Sequence, residues 1–380
     1  IVCGQYSQLA KAFDESIITD GLDITRVRWG RYEADLCTHL KQKLTQMAAL
    51  GLFALGMRRL VVADFAYATA TADLTETLKT GPRADLYIAH YIAALPAAAR
   101  AAREHKALFA FDAEDFHLGD LPDNSANSQV RSLVKYIESK YLPLAAYVTA
   151  ASPLIGENYA EIYDIKHPTT ILNVFPRPTE PHTCVVPEGN PSIYWFSQTI
   201  GPDRGLEVAM HAIAISRSRP HFYIRGNPAL GYIERLRAIA AQLGVAEQVH
   251  FLAPCEPTEL ERLGAAFDIG YVGEQSHTQN RQIALTNKLF SYISSGIPIV
   301  ASNIPAHQAI SENFGQAMIL FNSDSPKSLA DCFDHYLLNP RNLLNAKAEA
   351  WRLAQTVFNW EIEEEKLINV VKATLSKSDN

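Results

Sequence analysis

The stretch with the plainest chemical content is Ala284-Leu285-Thr286-Asn287-Lys288-Leu289-Phe290-Ser291-Tyr292-Ile293-Ser294-Ser295-Gly296-Ile297-Pro298-Ile299-Val300-Ala301-Ser302. A polar loop enters a short helix, Gly296 stops it, and an apolar strand follows. A helix N-terminus offers free N–H groups and a partial positive charge. Lys288 adds a full charge beside it, and together they suit a diphosphate. In the other reading Lys288 is solvated and Thr286 caps the helix start. The local sequence leaves both open.

The elements that would position these residues alternate along the chain. In the second half strands are expected at Ile193 to Phe196, Phe222 to Arg225, Val249 to Leu252, Ile269 to Val272, Ile299 to Ala301 and Met318 to Phe321, with helices between them. Leu206, Ala209, Met210 and Ile213 recur at helical spacing. Six strands with intervening helices fit a doubly wound sheet, which binds ligands at the carboxyl ends of its strands. The first half reads the same way, with strands at Ile24 to Val27, Leu86 to Ala89, Leu108 to Phe111, Tyr147 to Thr149 and Thr170 to Leu172. Helices are expected from Glu33 to Met57 and from Ala93 to Glu104. The proline-rich run from Pro176 to Pro181, with Pro187 to Pro191 after it, suits an interdomain linker. The fold class is therefore α/β with parallel sheets.

Composition narrows the class. With 380 residues, 48% hydrophobic and 20% charged, the chain can build two ordinary domains. A formal charge of -7 argues against a nucleic-acid partner. No apolar run has transmembrane length. Met47 to Met57 is the most apolar helical stretch and ends in Arg58-Arg59, which reads as a core helix or as a membrane-surface contact. Cys3, Cys37, Cys184, Cys255 and Cys332 are scattered, so reduced thiols in a cytoplasmic protein are expected. Gly51 to Gly56 has P-loop glycine spacing, but Met57 and Arg58 stand where Lys and Ser or Thr belong. No GxGxxG follows a strand, which argues against a dinucleotide oxidoreductase.

The Asn287-Lys288-Leu289-Phe290 run, Tyr292, Gly296 and Pro298 resemble the donor-site motif of GT-B glycosyltransferases, in particular the family 4 group of retaining enzymes. The likeness extends to Tyr194 through Glu207, where a Lys-Gly pair usually touches the donor diphosphate. Here the pair is Arg204-Gly205, and an arginine fork can bind two oxygens. Tyr223-Ile224-Arg225-Gly226, Val249 to Pro254 and Asp268 to Val272 resemble further strand ends of that domain. Phe358-Asn359-Trp360-Glu361 resembles the start of a closing helix. The resemblance implies two Rossmann-like domains facing across a cleft. Their expected bounds are 1–185 for the acceptor domain and 186–357 for the donor domain, with 358–380 as a helix crossing back.

The same resemblance implies the site. Arg204, Lys288 and His90 are the candidate catalytic residues. Donor contacts are expected from Gly201, Gly205, Arg225, Gly226, Leu252 and Glu274, and from Thr286, Asn287, Leu289 and Ser291. His90 ends a strand, where it could bond a sugar hydroxyl or serve as a structural histidine. Asp112, Glu114 and Asp115 lie on the acceptor side; no second ligand cluster accompanies them, so no metal and no cofactor are expected. The implied reaction moves a sugar from a nucleoside-diphosphate sugar to a glycan, lipid-linked or small-molecule acceptor, with possible peripheral membrane contact. Competing readings are an epimerase on the same fold and a catalytically inactive partner protein.

Two departures from the family pattern stand out. Its paired donor-loop glutamates would fall on Ile283 and Ser291, and neither is acidic. Ser291 is then expected to bond the nucleotide ribose, and a glutamate there to be tolerated. The opening Ile1-Val2-Cys3-Gly4 reads as the end of a strand, and the usual first strand with its glycine-rich loop is expected to be missing ahead of it.

Overall fold

The strand-length apolar runs of the sequence become parallel strands, although Thr170 to Leu172 gives only Thr170 to one and the strand from Leu86 alternates between buried and exposed residues. The computed structural model describes residues 1–4, 23–27, 36–182 and 191–378. Residues 33–35 of the expected first helix, most of the second proline cluster and Cys184 lie outside them. The chain divides into two units, one of Ile1–Ala151, Ile155–Thr170 and Asn369–Asn380, the other of Ser152–Leu154 and Ile171–Ile368. The change of unit at Thr170–Ile171 precedes the proline-rich stretch expected to carry it. The reason is packing: Leu172, Val174 and Phe175 sit against the core of the second unit.

In the first unit, β1 (Val2–Gly4) pairs in parallel with β2 (Thr25–Val27). A second sheet runs in the order β3 (Leu86–His90), β4 (Leu108–Ala113), β5 (Val148–Ala150), β6 (Thr169–Thr170). The expected helix from Glu33 is described over Leu36–Ala54 and ends ahead of Gly56, whose φ is 93°.

The second unit holds β7 (Ser192–Ile200), β8 (His221–Pro228), β9 (Val249–Leu252), β10 (Ile269–Val272), β11 (Ile299–Ser302) and β12 (Met318–Phe321). They form one sheet in the order β12-β11-β10-β7-β8-β9. The chain moves outward from β7 to β9, then returns to β10 on the other side of β7. That reversal makes the crevice past the ends of β7 and β10 the natural ligand position. Ile193 and Trp195 of β7 pack into one core layer and Tyr194 into the other. The four described thiols, Cys3, Cys37, Cys255 and Cys332, are free. Among the described residues no helix is long and apolar enough to cross a membrane.

Candidate functional site

The motif helix spans Asn287–Ser294 and is anchored by its apolar side. Leu289, Phe290 and Ile293 are buried in the core, which corrects the expectation of a donor contact from the Leu289 side chain. Tyr292 crosses under β10, its hydroxyl donating to the Tyr194 carbonyl at 3.1 Å. A Cβ on Gly270 would stand 2.3 Å from that ring, so the strand must be bare there. The motif tyrosine thus fixes the helix to the sheet.

That anchoring sets the first turn of the helix at the ends of β7 and β10. Asn287 is exposed, Thr286 is half-buried, and the Thr286 side chain caps none of the helix N–H groups. Lys288 is buried instead of solvated, as its alternative reading required. Its Nζ donates to Glu274 Oε1 at 2.8 Å and to Thr286 Oγ1 at 3.2 Å. Burial raises the Glu274 carboxyl, but Lys288 and then Arg281 overcome it and hold it at about 2. Arg281 lies 3.7 Å from Glu274 Oε2 and donates to the Asp203 carbonyl at 3.0 Å. Glu274, expected to reach the sugar, is therefore engaged by two cations.

Arg204 comes to this place through the loop after β7. Gly205 follows it with φ 69°, and a Cβ there would meet the Gly273 carbonyl at 2.5 Å. Tyr271 donates its hydroxyl to the Gly205 carbonyl at 2.8 Å. Only glycine permits this contact, which brings the Arg204 loop against the residue preceding Glu274. Arg204 itself is half-buried and makes no ion pair with a described residue. Lys288 and Arg281 thus flank the single carboxylate of Glu274, with the Arg204 loop packed against the neighbouring Gly273, an arrangement suited to an anion. Sequence reasoning missed Arg281; its only signal was a basic residue on the short helix Gln279–Ile283.

Beside it, His307 is buried and donates Nδ1–H to the Ser302 carbonyl at 2.7 Å, while its Nε2 has no partner. Burial lowers its pKa, which keeps it neutral. A cavity of about 10 Å³ lined by Gly205, Glu274, Ser302 and Ser323 is the size of one water. The hydroxyls of Ser302 and Ser323 are buried without partners.

The other flank is built by β7, β8 and the helix Leu260–Gly264. Arg225 is not free: its Nε donates to the Tyr194 hydroxyl at 2.8 Å and its Nη1 to the Ala253 carbonyl at 2.7 Å. It clamps the loop after Leu252. Gly226 sits where a Cβ would meet the Ser197 carbonyl at 2.2 Å, and Gly201 closes β7 in a buried position.

Ser291 is fully buried, so its expected exposure to a donor is not met. Its hydroxyl donates to Glu261 Oε1 at 3.2 Å. A Cβ on Gly264 would stand 2.6 Å from Ser295 Oγ, so the two helices approach closely there. One turn earlier on each helix, Glu261 meets Ser291. Glu261 is half-buried, and burial raises its pKa against the pull of its hydrogen bonds. A carboxylate thus stands where a longer side chain at 291 would have placed one. Ile283 is buried and supplies none.

In the first unit, strand register makes a second cluster: His90 pairs with Asp112 and Asp112 with Thr149 across β3, β4 and β5. His90 Nδ1 lies 3.0 Å from Asp112 Oδ2 and 3.3 Å from Glu114 Oε1, while Thr149 donates to Asp112 at 2.6 Å. Asp115 contributes its carbonyl to Tyr159 at 3.3 Å. The His90, Asp112 and Glu114 atoms could hold a divalent cation, all within 4.8 Å of one another. A cation would have to displace the proton on Nδ1. The bonds to Asp112 and then Glu114 raise His90 to about 10, so an imidazolium already fills that role. The stabilisation from this pairing is complete below the ordinary histidine range and is lost as pH rises through about 10. Titrating the imidazole by NMR should show that raised midpoint, and Asp112→Asn should lower it. An ordinary midpoint near 6.5 in the unaltered protein would dismiss the pairing.

Residues 190–339 match the family described as Glycosyl transferases group 1. The fold is similar to Anabaena HepE solved with UDP and glucose, with a TM-score of 0.69 and 14% identity, covering 98% of this chain and 91% of that one. It is similar to sucrose-phosphate synthase from Thermosynechococcus elongatus at a TM-score of 0.67 and 13% identity, covering 93% and 84%. A point mutant of S. aureus TarM gives a TM-score of 0.62 and 14% identity, covering 80% of this chain and 59% of that chain. No curated protein matches by sequence.

Proposed function

We propose that this chain, whose residues 190–339 match the group 1 glycosyl transferase family, is a GT-B glycosyltransferase that moves a sugar from a UDP-sugar to an acceptor hydroxyl. The observation that carries the reading is the pairing of Lys288 and Arg281 with Glu274 at the ends of β7 and β10, beside the loop that carries Arg204. The leaving group is a diphosphate whose negative charge grows as the glycosidic bond breaks. Preorganised cations stabilise that charge most, and losing one such donor typically costs about 10²–10³ in turnover. Lys288 and Arg204 hold the diphosphate, and the uncapped start of the helix Asn287–Ser294 adds its N–H groups. Glu274 keeps Lys288 aimed while the site is empty.

Glu261 takes the ribose, with Ser291 orienting its carboxylate. Hydroxyls donate strongly to an ionised carboxylate, and a nucleotide presents two adjacent ones. HepE bound to UDP and to UDP-glucose supports uridine as the base. The family resemblance favours retention at the anomeric carbon and a role in polysaccharide or glycoconjugate synthesis in the cytoplasm. His90, Asp112 and Glu114 serve the acceptor. No cofactor takes part.

Turnover of UDP-, GDP-, ADP- and CMP-linked sugars, with EDTA present and no added magnesium, tests this. UDP release from a UDP-sugar, undiminished by EDTA, is expected. Metal-reversible inhibition would assign a cation to the His90 cluster. Tight UDP binding without turnover would favour the inactive partner protein, a reading to which the buried Ile283 at a usual glutamate position lends weight.

A further inference from the structure

The helix Leu36–Ala54 turns an apolar stripe to the outside. Leu36, Leu40, Leu44 and Met47 are 75%, 53%, 67% and 67% exposed. At helical spacing they fall within one arc of roughly 80°. The side packed inward is a different one. Ala49 and Phe53 are buried there, Gln42 bonds Asp73 at 3.4 Å, and Gln46 bonds the Tyr67 carbonyl at 3.0 Å. The helix therefore has a core face and, separately, an apolar outer face where a water-facing helix would carry charge.

Cations frame the stripe. On the helical projection Lys43 falls at one margin and Lys41 beyond the other, and both are exposed. The surface continues through exposed Leu52, Leu55 and Met57 to Arg58, Arg59 and Val61. From Leu36 to Ala63 there is no Asp or Glu, although the whole chain carries a net charge of -7. A second copy of the chain docked on this face would oppose like charges. An anionic surface would meet the apolar stripe and its cations together.

We propose that this face, from Leu36 to Val61, docks on an anionic lipid bilayer. The helix lies in the interface plane, with Leu36, Leu40, Leu44 and Met47 among the acyl chains and the lysines and arginines at the headgroup phosphates. It spans nothing, in keeping with its short apolar length.

Co-sedimentation of the full chain with vesicles tests this. It should pellet with phosphatidylcholine vesicles containing phosphatidylglycerol, remain in solution with phosphatidylcholine alone, and be released by added salt. Leu40→Gln with Leu44→Gln, and separately Lys41→Gln with Lys43→Gln, should each reduce partition roughly tenfold or more. These side chains are exposed, so the thermal midpoint should be unchanged. Equal binding to both vesicle types, or partition unmoved by either variant, would overturn the proposal. So would a dimer that the leucine variant abolishes in a chain that binds no vesicles.

Discussion

Glu261→Ala should weaken UDP binding about tenfold to a hundredfold, and adding Ser291→Glu to that variant should restore most of the loss. A charge-assisted hydrogen bond contributes about 1.5–3 kcal/mol, which sets the size of the first effect. The restoration follows from geometry. The Ser291 hydroxyl lies 3.2 Å from Glu261 Oε1, so a glutamate at 291 would bring its own carboxylate to the place that Glu261 vacates. Ser291→Glu alone should do harm. Two carboxylates would then crowd one half-buried space, and one must take a proton or move away. This reverses what the sequence led one to expect of that change. Calorimetry with UDP on the three variants decides. Unchanged affinity in Glu261→Ala would remove Glu261 from the site, and tighter binding in Ser291→Glu alone would return Ser291 to the donor.

Lys288→Ala should cost both binding and stability, and the two losses can be separated. Removing the cation leaves Glu274 buried with only Arg281, at 3.7 Å, to balance it. Breaking a buried pair from one side typically costs about 3–5 kcal/mol, and the remaining arginine and partial exposure should bring it to the lower end or below. Glu274 also loses what holds its carboxyl at about 2. In the unaltered protein its depressed pKa contributes stability that is present above the ordinary carboxylate range and fades as pH falls towards 2. The variant should lack most of that acid-side dependence. Lys288→Ala with Glu274→Ala should recover much of the thermal midpoint, because no unpaired charge stays buried. It should not recover UDP affinity, because the diphosphate still lacks its cation. Restored binding in the double variant would show that Lys288 serves Glu274 alone.

The sequence by itself determined four of the six strands of the second unit to within one residue, and the starts of β7 and β8, which run four and three residues past their apolar runs. Their apolar runs are short, bounded by turns and buried on both faces, so local pattern and burial agree. It also marked Lys288, Arg204 and Gly205, because the helix start and the glycine turn that hold them are local structures. What the residues do to one another was decided by tertiary structure. Leu289 looked like a contact and is core, since only packing says which side of the helix faces the sheet. Arg225 and Glu274 looked free for a ligand and are engaged, because their partners come from other strands and loops. The gap left by the absent glutamate was legible at Ser291, but its answer was not. Glu261 lies thirty positions earlier, on another helix, and reaches Ser291 only because Gly264 and Ser295 let the two helices close together. Spacing along the chain carries no record of such an approach; it is fixed by which side chains are small enough to let two backbones meet.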